Sequence, residues 1–118
     1  MTEQQVENQR SQERLAVEKT VDVFDQDEGN HLGRLVNVTI DGMLIMGEQS
    51  LLVGDFYCLA IHLNEYNESE PETIFCDAIC LWVAPTSQED TFWSGMQVSE
   101  MDEDSRVRLQ NMLDKLSG

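Results

Sequence analysis

The pattern of apolar and polar residues predicts a series of short β-strands followed by one helix. In the first of these strands, over residues 17–24, Val17, Val21 and Val23 repeat at the two-residue period of a half-buried strand. Further strands are predicted over residues 31–40, 43–46, 56–63, 73–83 and 92–98. Glycine, proline or clustered polar residues separate them, and such short connections favour antiparallel pairing of neighbours.

The C-terminal segment has a helical period instead. Its apolar residues recur at helical spacing: Val107, Leu109, Met112, Leu113 and Leu116. Ser99 or Asp102 can cap this helix, which we predict over about residues 102–116, and Lys115 near its end suits the macrodipole. The pattern as a whole predicts an all-β fold with a C-terminal helix: a small antiparallel barrel of about six strands with the helix over one end.

Residues 34–46 contain a hairpin signal and a group of polar residues. An Asp41-Gly42 step separates two apolar runs, which predicts a tight turn in which Gly42 adopts a positive φ. Asn37 and Thr39 lie two residues apart on the strand before it, so an amide and a hydroxyl should share one face. This group is either a ligand-binding wall or an ordinary solvent-facing surface, and the hairpin alone does not decide between them.

The chain length and the N-terminal composition predict one folded domain preceded by an arm. The 118 residues are enough for one hydrophobic core. Residues 1–16 are rich in Glu and Gln and poor in apolar residues, so we predict a mobile arm there and the barrel with its helix over residues 17–118. The arm carries Arg10 and Arg14, separated by Ser-Gln-Glu.

The charge restricts the possible partners. There are 23 acidic and 7 basic residues, giving a formal net charge of −16, which argues against nucleic acid or an anionic membrane as partner. An anionic ligand would need locally concentrated arginine. We expect a soluble, cytoplasmic protein, because the sequence shows neither an apolar run of about 20 residues nor a secretion signal.

The sequence gives no sign of an enzyme, a metal site or a cofactor. Cys58, Cys76 and Cys80 are expected to be reduced core thiols, and the last two would lie about 13 Å apart on a strand, too far to share a metal ion. No order of nucleophile and base suggests catalysis, and no glycine-rich loop precedes a helix. Trp82 and Trp93 are typical of core or rim positions.

Two motifs together resemble those of the PilZ domain family. Arg10-x-x-x-Arg14 stands just before the first predicted strand, and Asn37-x-Thr39-x-x-Gly42 spans the later turn, with Thr39 where the family usually has Ser. The resemblance covers almost the whole chain, including the strand pattern and the closing helix. It implies a six-stranded PilZ-like β-barrel that acts as a bacterial cyclic di-GMP receptor and adaptor without catalysing a reaction.

The resemblance also implies which residues bind the ligand: Arg10, Arg14, Asn37, Thr39 and Gly42. The two arginines would clamp cyclic di-GMP from the arm, because a guanidinium can grip a phosphate or a guanine edge with two hydrogen bonds. An unidentified protein would receive the signal, in motility, biofilm or pilus control, with the chain a monomer or homodimer. The alternative is a PilZ-like adaptor that acts on its partner without any nucleotide.

Overall fold

The computed structural model describes residues 15–17, 19–63 and 72–117. Within them lie seven strands and one helix: β1 (Leu15–Ala16), β2 (Asp22–Asp25), β3 (His31–Val38), β4 (Gly42–Gly47), β5 (Phe56–His62), β6 (Thr73–Pro85), β7 (Phe92–Met101) and α1 (Glu103–Ser117). Every strand pair is antiparallel. In the part of the chain that the structure describes, no helix is long and apolar enough to cross a membrane.

Six of the strands close into a barrel. They follow the order β3-β2-β5-β6-β7-β4, and β4 pairs again with β3. The short strand β1 pairs with the C-terminal part of β3, beyond the part that β2 covers. This confirms the predicted six-stranded antiparallel barrel with a C-terminal helix, since closing the sheet removes the exposed edges of an open one.

The barrel interior is filled by aliphatic residues that alternate along the strands with outward-facing ones. The inward-facing side chains that are at most 1% exposed include Val21, Val23, Val38, Met43, Ile45, Leu59, Ile61, Ile74 and Met96. Each fully buried side chain of this kind contributes about 1.5–3 kcal/mol relative to exposure. The apolar positions of the sequence therefore form one continuous core.

Helix α1 is joined to the first residues of β6 by polar contacts. The Ser105 hydroxyl accepts the backbone N–H of Phe75 at 2.9 Å, and the Arg108 guanidinium donates to the Thr73 carbonyl at 3.0 Å. Leu109, on the same face as Ser105, is 2% exposed. Because Ser105 is fully buried, its hydroxyl satisfies a backbone donor that the helix would otherwise cover.

The helix start was predicted correctly, but its apolar stripe differs at one position. The Asp102 carboxylate accepts the Ser105 N–H at 2.7 Å, which makes Asp102 the N-cap. Val107, predicted to pack on the sheet, is 52% exposed. A residue two positions from both Ser105 and Leu109 lies about 200° around the helix from each, so it faces solvent.

The strand predicted over residues 17–24 is interrupted, and this prediction needs correction. The Val17 N–H donates to the Val36 carbonyl at 2.9 Å, whereas the Leu35 N–H donates to the Val21 carbonyl at 2.8 Å. Val17 and Val21 are four residues apart, whereas their partners Val36 and Leu35 are adjacent on β3. The residues between Val17 and Val21 cannot all pair with β3, so β1 and β2 are separate strands.

The predicted arm boundary also shifts. Leu15 and Ala16, assigned to the arm, form β1 and pair with Val38 and Asn37. The rest of that arm, residues 1–14, lies outside the described residues. Two register shifts interrupt the pairing of β6 with β7. Both strands are longer than predicted, since β6 ends at Pro85 and β7 at Met101.

Candidate functional site

The hairpin turn between β3 and β4 is built on the Thr39 side chain. Its hydroxyl oxygen accepts the backbone N–H of Gly42 at 2.9 Å and that of Asp41 at 3.2 Å, and the Thr39 N–H donates to the Gly42 carbonyl at 2.8 Å. The turn is therefore centred on Ile40 and Asp41, and neither these residues nor Gly42 has a positive φ. The turn was predicted at the right place but with the wrong conformation, because the threonine hydroxyl supplies the acceptor that shapes it.

Gly42 is needed for a close approach to β7. A Cβ at this position would lie 3.1 Å from the Met96 carbonyl oxygen, which is tighter than ordinary side-chain contacts. One residue earlier, the Asp41 carbonyl accepts the Val98 N–H at 2.8 Å. Both contacts hold the turn against the neighbouring strand, so the backbone around Gly42 has a fixed position on the barrel surface.

Asn37 lies on β3 just before this turn and is half-buried. It pairs with Leu44 on β4 and, on its other side, with Ala16 on β1. A bulge between Leu35 and Asn37 shifts the register of this pairing. Thr39 lies past the last residue of β3, so the structure brings Asn37, Thr39 and Gly42 together around one end of the strand.

The two arginines of the predicted site, Arg10 and Arg14, lie outside the described residues. Leu15, which follows Arg14 directly in the sequence, is the first described residue. Leu15 pairs with Val38, one residue before Thr39. The described chain therefore begins beside the turn that carries the second motif.

A cationic groove next to β1 was not found from the sequence. Lys19 and Arg34 are both exposed and line a groove of about 250 Å³. Its other lining residues are Val17, Thr20, Leu35 and Val36. The remaining basic residues of the described chain lie on α1: Arg106, Arg108 and Lys115. Lys19 and Arg34 are far apart in sequence, and only the pairing of β3 with the segment before β2 brings them to one groove.

Arg34 also lines a larger cleft of about 530 Å³, next to His31 and Asp22. Asp22 is the cross-strand partner of Arg34, yet its carboxylate Oδ1 lies 2.9 Å from His31 Nε2. The acidic residue directly opposite Arg34 is therefore engaged by a histidine. This leaves the guanidinium at the border of two surface depressions.

The three cysteines are free thiols, and the pKa of each is raised above its usual value. Burial, with a smaller effect of the Asp77 charge, raises the pKa of Cys76 to about 12. A hydrogen bond to Asp77 is the main cause that raises the pKa of Cys58. All three are thus protonated at neutral pH. Among the residues that the structure describes, no three His, Cys, Asp or Glu side chains are grouped to hold a metal ion.

Several solved structures share this fold. The inhibitor of motility MotI/DgrA from Bacillus subtilis aligns with a TM-score of 0.66 at 17% identity, over 87% of this chain and 52% of that one. MrkH from K. pneumonia in its apo state aligns with a TM-score of 0.70 at 16% identity, over 87% and 49%. The chain thus spans about half the length of these two proteins.

A third structure is similar over nearly its whole length. It is the PilZ domain of YcgR from Escherichia coli, solved with c-di-GMP, with a TM-score of 0.66 at 12% identity over 88% of both chains. At these identities the likeness concerns the fold. No curated protein matches the sequence. The PilZ domain family model, however, matches residues 8–115, which include both sequence motifs and every strand. The chain therefore belongs to the PilZ domain family.

Proposed function

We propose that this chain is a cytoplasmic bacterial receptor for cyclic di-GMP that acts as an adaptor and not as an enzyme. The observation that carries the proposal is the pairing of β1 with β3. It sets Leu15, the residue after Arg14 in the sequence, opposite Val38, which is one residue before Thr39. Support comes from the family, whose domains are receptors and adaptors, and from the YcgR PilZ domain, which was solved with c-di-GMP.

The chemistry of the turn suits a phosphate or a guanine edge. The Thr39 oxygen accepts two backbone N–H groups, and its own proton meets only the Gly42 carbonyl at a long 3.4 Å. That proton is available to a ligand oxygen at little cost. The Asn37 amide offers both donor and acceptor groups for a guanine edge. Gly42 fixes the turn against β7, so these groups are positioned before the ligand arrives.

The distribution of positive charge favours the same region. A net charge of −16 opposes a dianionic ligand at long range, although physiological salt screens exposed charges beyond about 8 Å. All basic residues outside α1 lie in the first third of the sequence: Arg10, Arg14, Lys19 and Arg34. Two of them line the groove beside β1. Lys19 and Arg34 therefore place two positive charges beside the proposed site, against the overall charge of the chain.

In this proposal the ligand draws the arm of residues 1–14 onto the barrel. Arg10 and Arg14 grip the phosphates or the guanine edges with paired hydrogen bonds. The measured affinity is then the surplus over the entropy of ordering the arm. A partner protein would read the arm and the barrel surface together, which makes ligand binding a signal.

Isothermal titration of the full chain with cyclic di-GMP tests this function. We expect one saturating transition in the wild type. Arg10→Ala and Arg14→Ala should each weaken binding by about 10- to 100-fold, the effect of losing a hydrogen bond to a charged group. Arg106→Ala is the matched control, because it removes the same charge from the exposed side of α1 and should leave the affinity unchanged.

Two results would contradict the proposal at different levels. Absence of heat up to millimolar ligand would exclude the receptor function. Binding that Arg10→Ala and Arg14→Ala weaken no more than Arg106→Ala would keep the function but remove these arginines from the site.

A second candidate function is a nucleotide-independent adaptor, favoured by a group of exposed apolar side chains. Leu52, Val53, Phe56 and Leu81 are each 49% exposed or more, and the Gly54 N–H bonded to the Cys80 carbonyl brings the loop before β5 against β6. Exposed apolar groups of this kind are typical of protein contacts. In this case Phe56→Ser would abolish partner binding, whereas Arg10→Ala and added cyclic di-GMP would leave it unchanged.

A further inference from the structure

The outer face of β6 carries exposed apolar side chains. Ile79 lies between two buried residues of this strand, so it points outward, and it pairs directly with Phe56 on β5. Phe56 is 68% exposed and Leu81, two residues after Ile79, is 49% exposed. These three residues form what we call the apolar patch. Two exposed residues of the adjoining loop before β5 extend it: Leu52 and Val53.

Two carboxylates lie directly beside the apolar patch. Asp77 is two residues before Ile79 on β6, about 7 Å away between Cα atoms, and it also points outward between buried neighbours. Its cross-strand partner on β7 is Glu100. Both line a surface depression of about 130 Å³, together with the N-cap residue Asp102. The apolar patch therefore has an acidic border on one side.

This acidic pair is unfavourable for the chain on its own, because like charges directly opposite each other on neighbouring strands repel. In the part of the chain that the structure describes, neither Asp77 nor Glu100 takes part in an ion pair. The pKa of Cys58, on the next strand, is raised by its hydrogen bond to Asp77, by burial and by the charges of Asp77, Asp27 and Asp25. A cation placed beside Asp77 and Glu100 would relieve their repulsion.

The charge of this surface decides which occupant fits it. A second copy of the chain carries the same net charge of −16 and the same carboxylates. The segments outside the described residues are acidic as well: residues 1–14 contain three Glu and two Arg, and residues 64–71 contain three Glu and no basic residue. None of these has an excess of positive charge, so the complementary occupant is a basic segment of another protein.

The apolar patch lies on the same face of the barrel as the candidate ligand site. One row of directly paired residues runs from Gly42 through Gln97 and Ile79 to Phe56. Directly opposed residues of antiparallel strands point to the same side of a sheet. Three strand spacings, or about 14 Å, separate Gly42 from Phe56 along the sheet. A partner on the patch is therefore close enough to the turn to sense a bound ligand.

We propose that a basic amphipathic helix of a partner protein docks on the apolar patch and the Asp77–Glu100 pair, an inference that rests on the proposed adaptor role. Residues four apart on a helix lie about 5–6 Å apart, close to the spacing of Ile79 and Asp77. A leucine contacts Phe56 and Ile79 while a lysine one turn along the helix reaches the carboxylates. Burial of the apolar side chains supplies affinity, and the charges select a basic partner.

Two labelled model peptides test this surface by fluorescence anisotropy with the full chain. The first is an amphipathic helix of about 18 residues built from Leu and Lys, and the second has Glu in place of every Lys. In about 0.15 M NaCl the Leu–Lys peptide should bind at least about 10-fold more tightly than the Leu–Glu peptide. Its affinity should fall as the NaCl concentration rises, because salt screens the contacts with the carboxylates.

Substitutions show whether the peptide binds at this surface. Phe56→Ser should weaken binding of the Leu–Lys peptide by about 10-fold or more, as for an aromatic residue at the centre of an interface. The double variant Asp77→Asn/Glu100→Gln should weaken it by about 3- to 20-fold and make it less sensitive to NaCl. Circular dichroism shows whether each variant is folded, and the salt dependence of the double variant does not rely on Phe56→Ser.

Matched control variants remove the same groups elsewhere. Val107→Ser removes an apolar side chain that is 52% exposed on α1. Glu48→Gln/Glu89→Gln removes two carboxylates from exposed loop positions. Each control should change the affinity for the Leu–Lys peptide by less than about 2-fold, the effect of a distant exposed charge. Losses shared equally by the controls would mean general attraction to an acidic chain and would overturn the docking surface.

The remaining outcomes separate this inference from the receptor function. Equal binding of the two peptides would overturn the docking surface, whereas titration with cyclic di-GMP would still decide the receptor function. Peptide binding at the patch without any heat from cyclic di-GMP would keep the docking surface and assign it to the nucleotide-independent adaptor. Wild-type dimers that Phe56→Ser dissociates would show that the patch joins two copies, and the basic partner would then be wrong.

Discussion

Thr39 shows how one side chain can serve both the fold and the proposed site. Its oxygen accepts two backbone N–H groups of the turn, and its proton remains available to a ligand. The extra methyl group that distinguishes it from serine restricts its rotamers, which holds the oxygen in the acceptor position. A hydroxyl at this position therefore has a structural reason to be present even without a ligand.

Substitutions at Thr39 separate these two roles. Thr39→Val keeps the shape but removes the acceptor of two N–H groups, so it should lower the free energy of unfolding by about 1 kcal/mol. Thr39→Ser keeps the hydroxyl and should change stability by much less. Urea unfolding measures both, and calorimetry with cyclic di-GMP should show weaker binding for the valine variant alone. Equal stability of the two variants would contradict the role of the hydroxyl in the turn.

The positions of the strands could be predicted from the sequence, but some of their pairings could not, and the reasons are physical. Alternation of apolar residues located the strands, because one face of each must enter the core. The separation of β1 from β2 could not be predicted, since it depends on a register with β3 that lies far along the chain. Likewise, the groove that Lys19 and Arg34 line depends on the pairing of β3 with the segment before β2.

At the scale of elements, the start of α1 links the helix to the barrel. Asp102 accepts the Ser105 N–H, and the Ser105 hydroxyl accepts the N–H of Phe75 on β6. The backbone hydrogen bond from Ser105 is the main cause that lowers the pKa of Asp102. Glu103 and Asp104 add negative charge to the same first turn, where the helix dipole favours it.

The lowered pKa of Asp102 gives a pH prediction with a definite sign. The folded state binds fewer protons than the unfolded state between the two pKa values of this carboxyl. Its stabilising effect is therefore complete above the unfolded pKa, about 3.9, and is lost as the pH falls through the folded pKa. Asp102→Ala should lower the thermal midpoint by a few degrees at pH 7, and its deficit should shrink below pH 4.

Two further variants test this interpretation of the cap. Asp102→Asn keeps an acceptor for the Ser105 N–H but cannot titrate, so it should be more stable than Asp102→Ala at pH 7. Asp104→Ala removes an exposed charge from the same turn without removing the cap, and its effect should be smaller. A deficit of Asp102→Ala that stays constant between pH 7 and pH 3 would contradict the carboxylate cap.

At the scale of the whole molecule, the charge is strongly one-sided. Even if each of the 7 basic residues were paired with one of the 23 acidic residues, 16 carboxylates would remain without a cationic partner. Their mutual repulsion opposes the compact state. It also disfavours association of two copies at low salt, and it contrasts with the groove beside β1, which Lys19 and Arg34 line.

Screening of this repulsion should be measurable as a rise of stability with salt. Between about 0.01 M and 0.3 M NaCl at pH 7 the Debye length falls from about 30 Å to less than 10 Å, which removes most repulsion between exposed carboxylates. We expect the thermal midpoint to rise by a few degrees over this range and then to level off. A continued linear rise would indicate salting-out instead, and sodium sulfate at equal ionic strength distinguishes the two. A midpoint that falls with NaCl would show that attractive pairs outweigh the excess of negative charge.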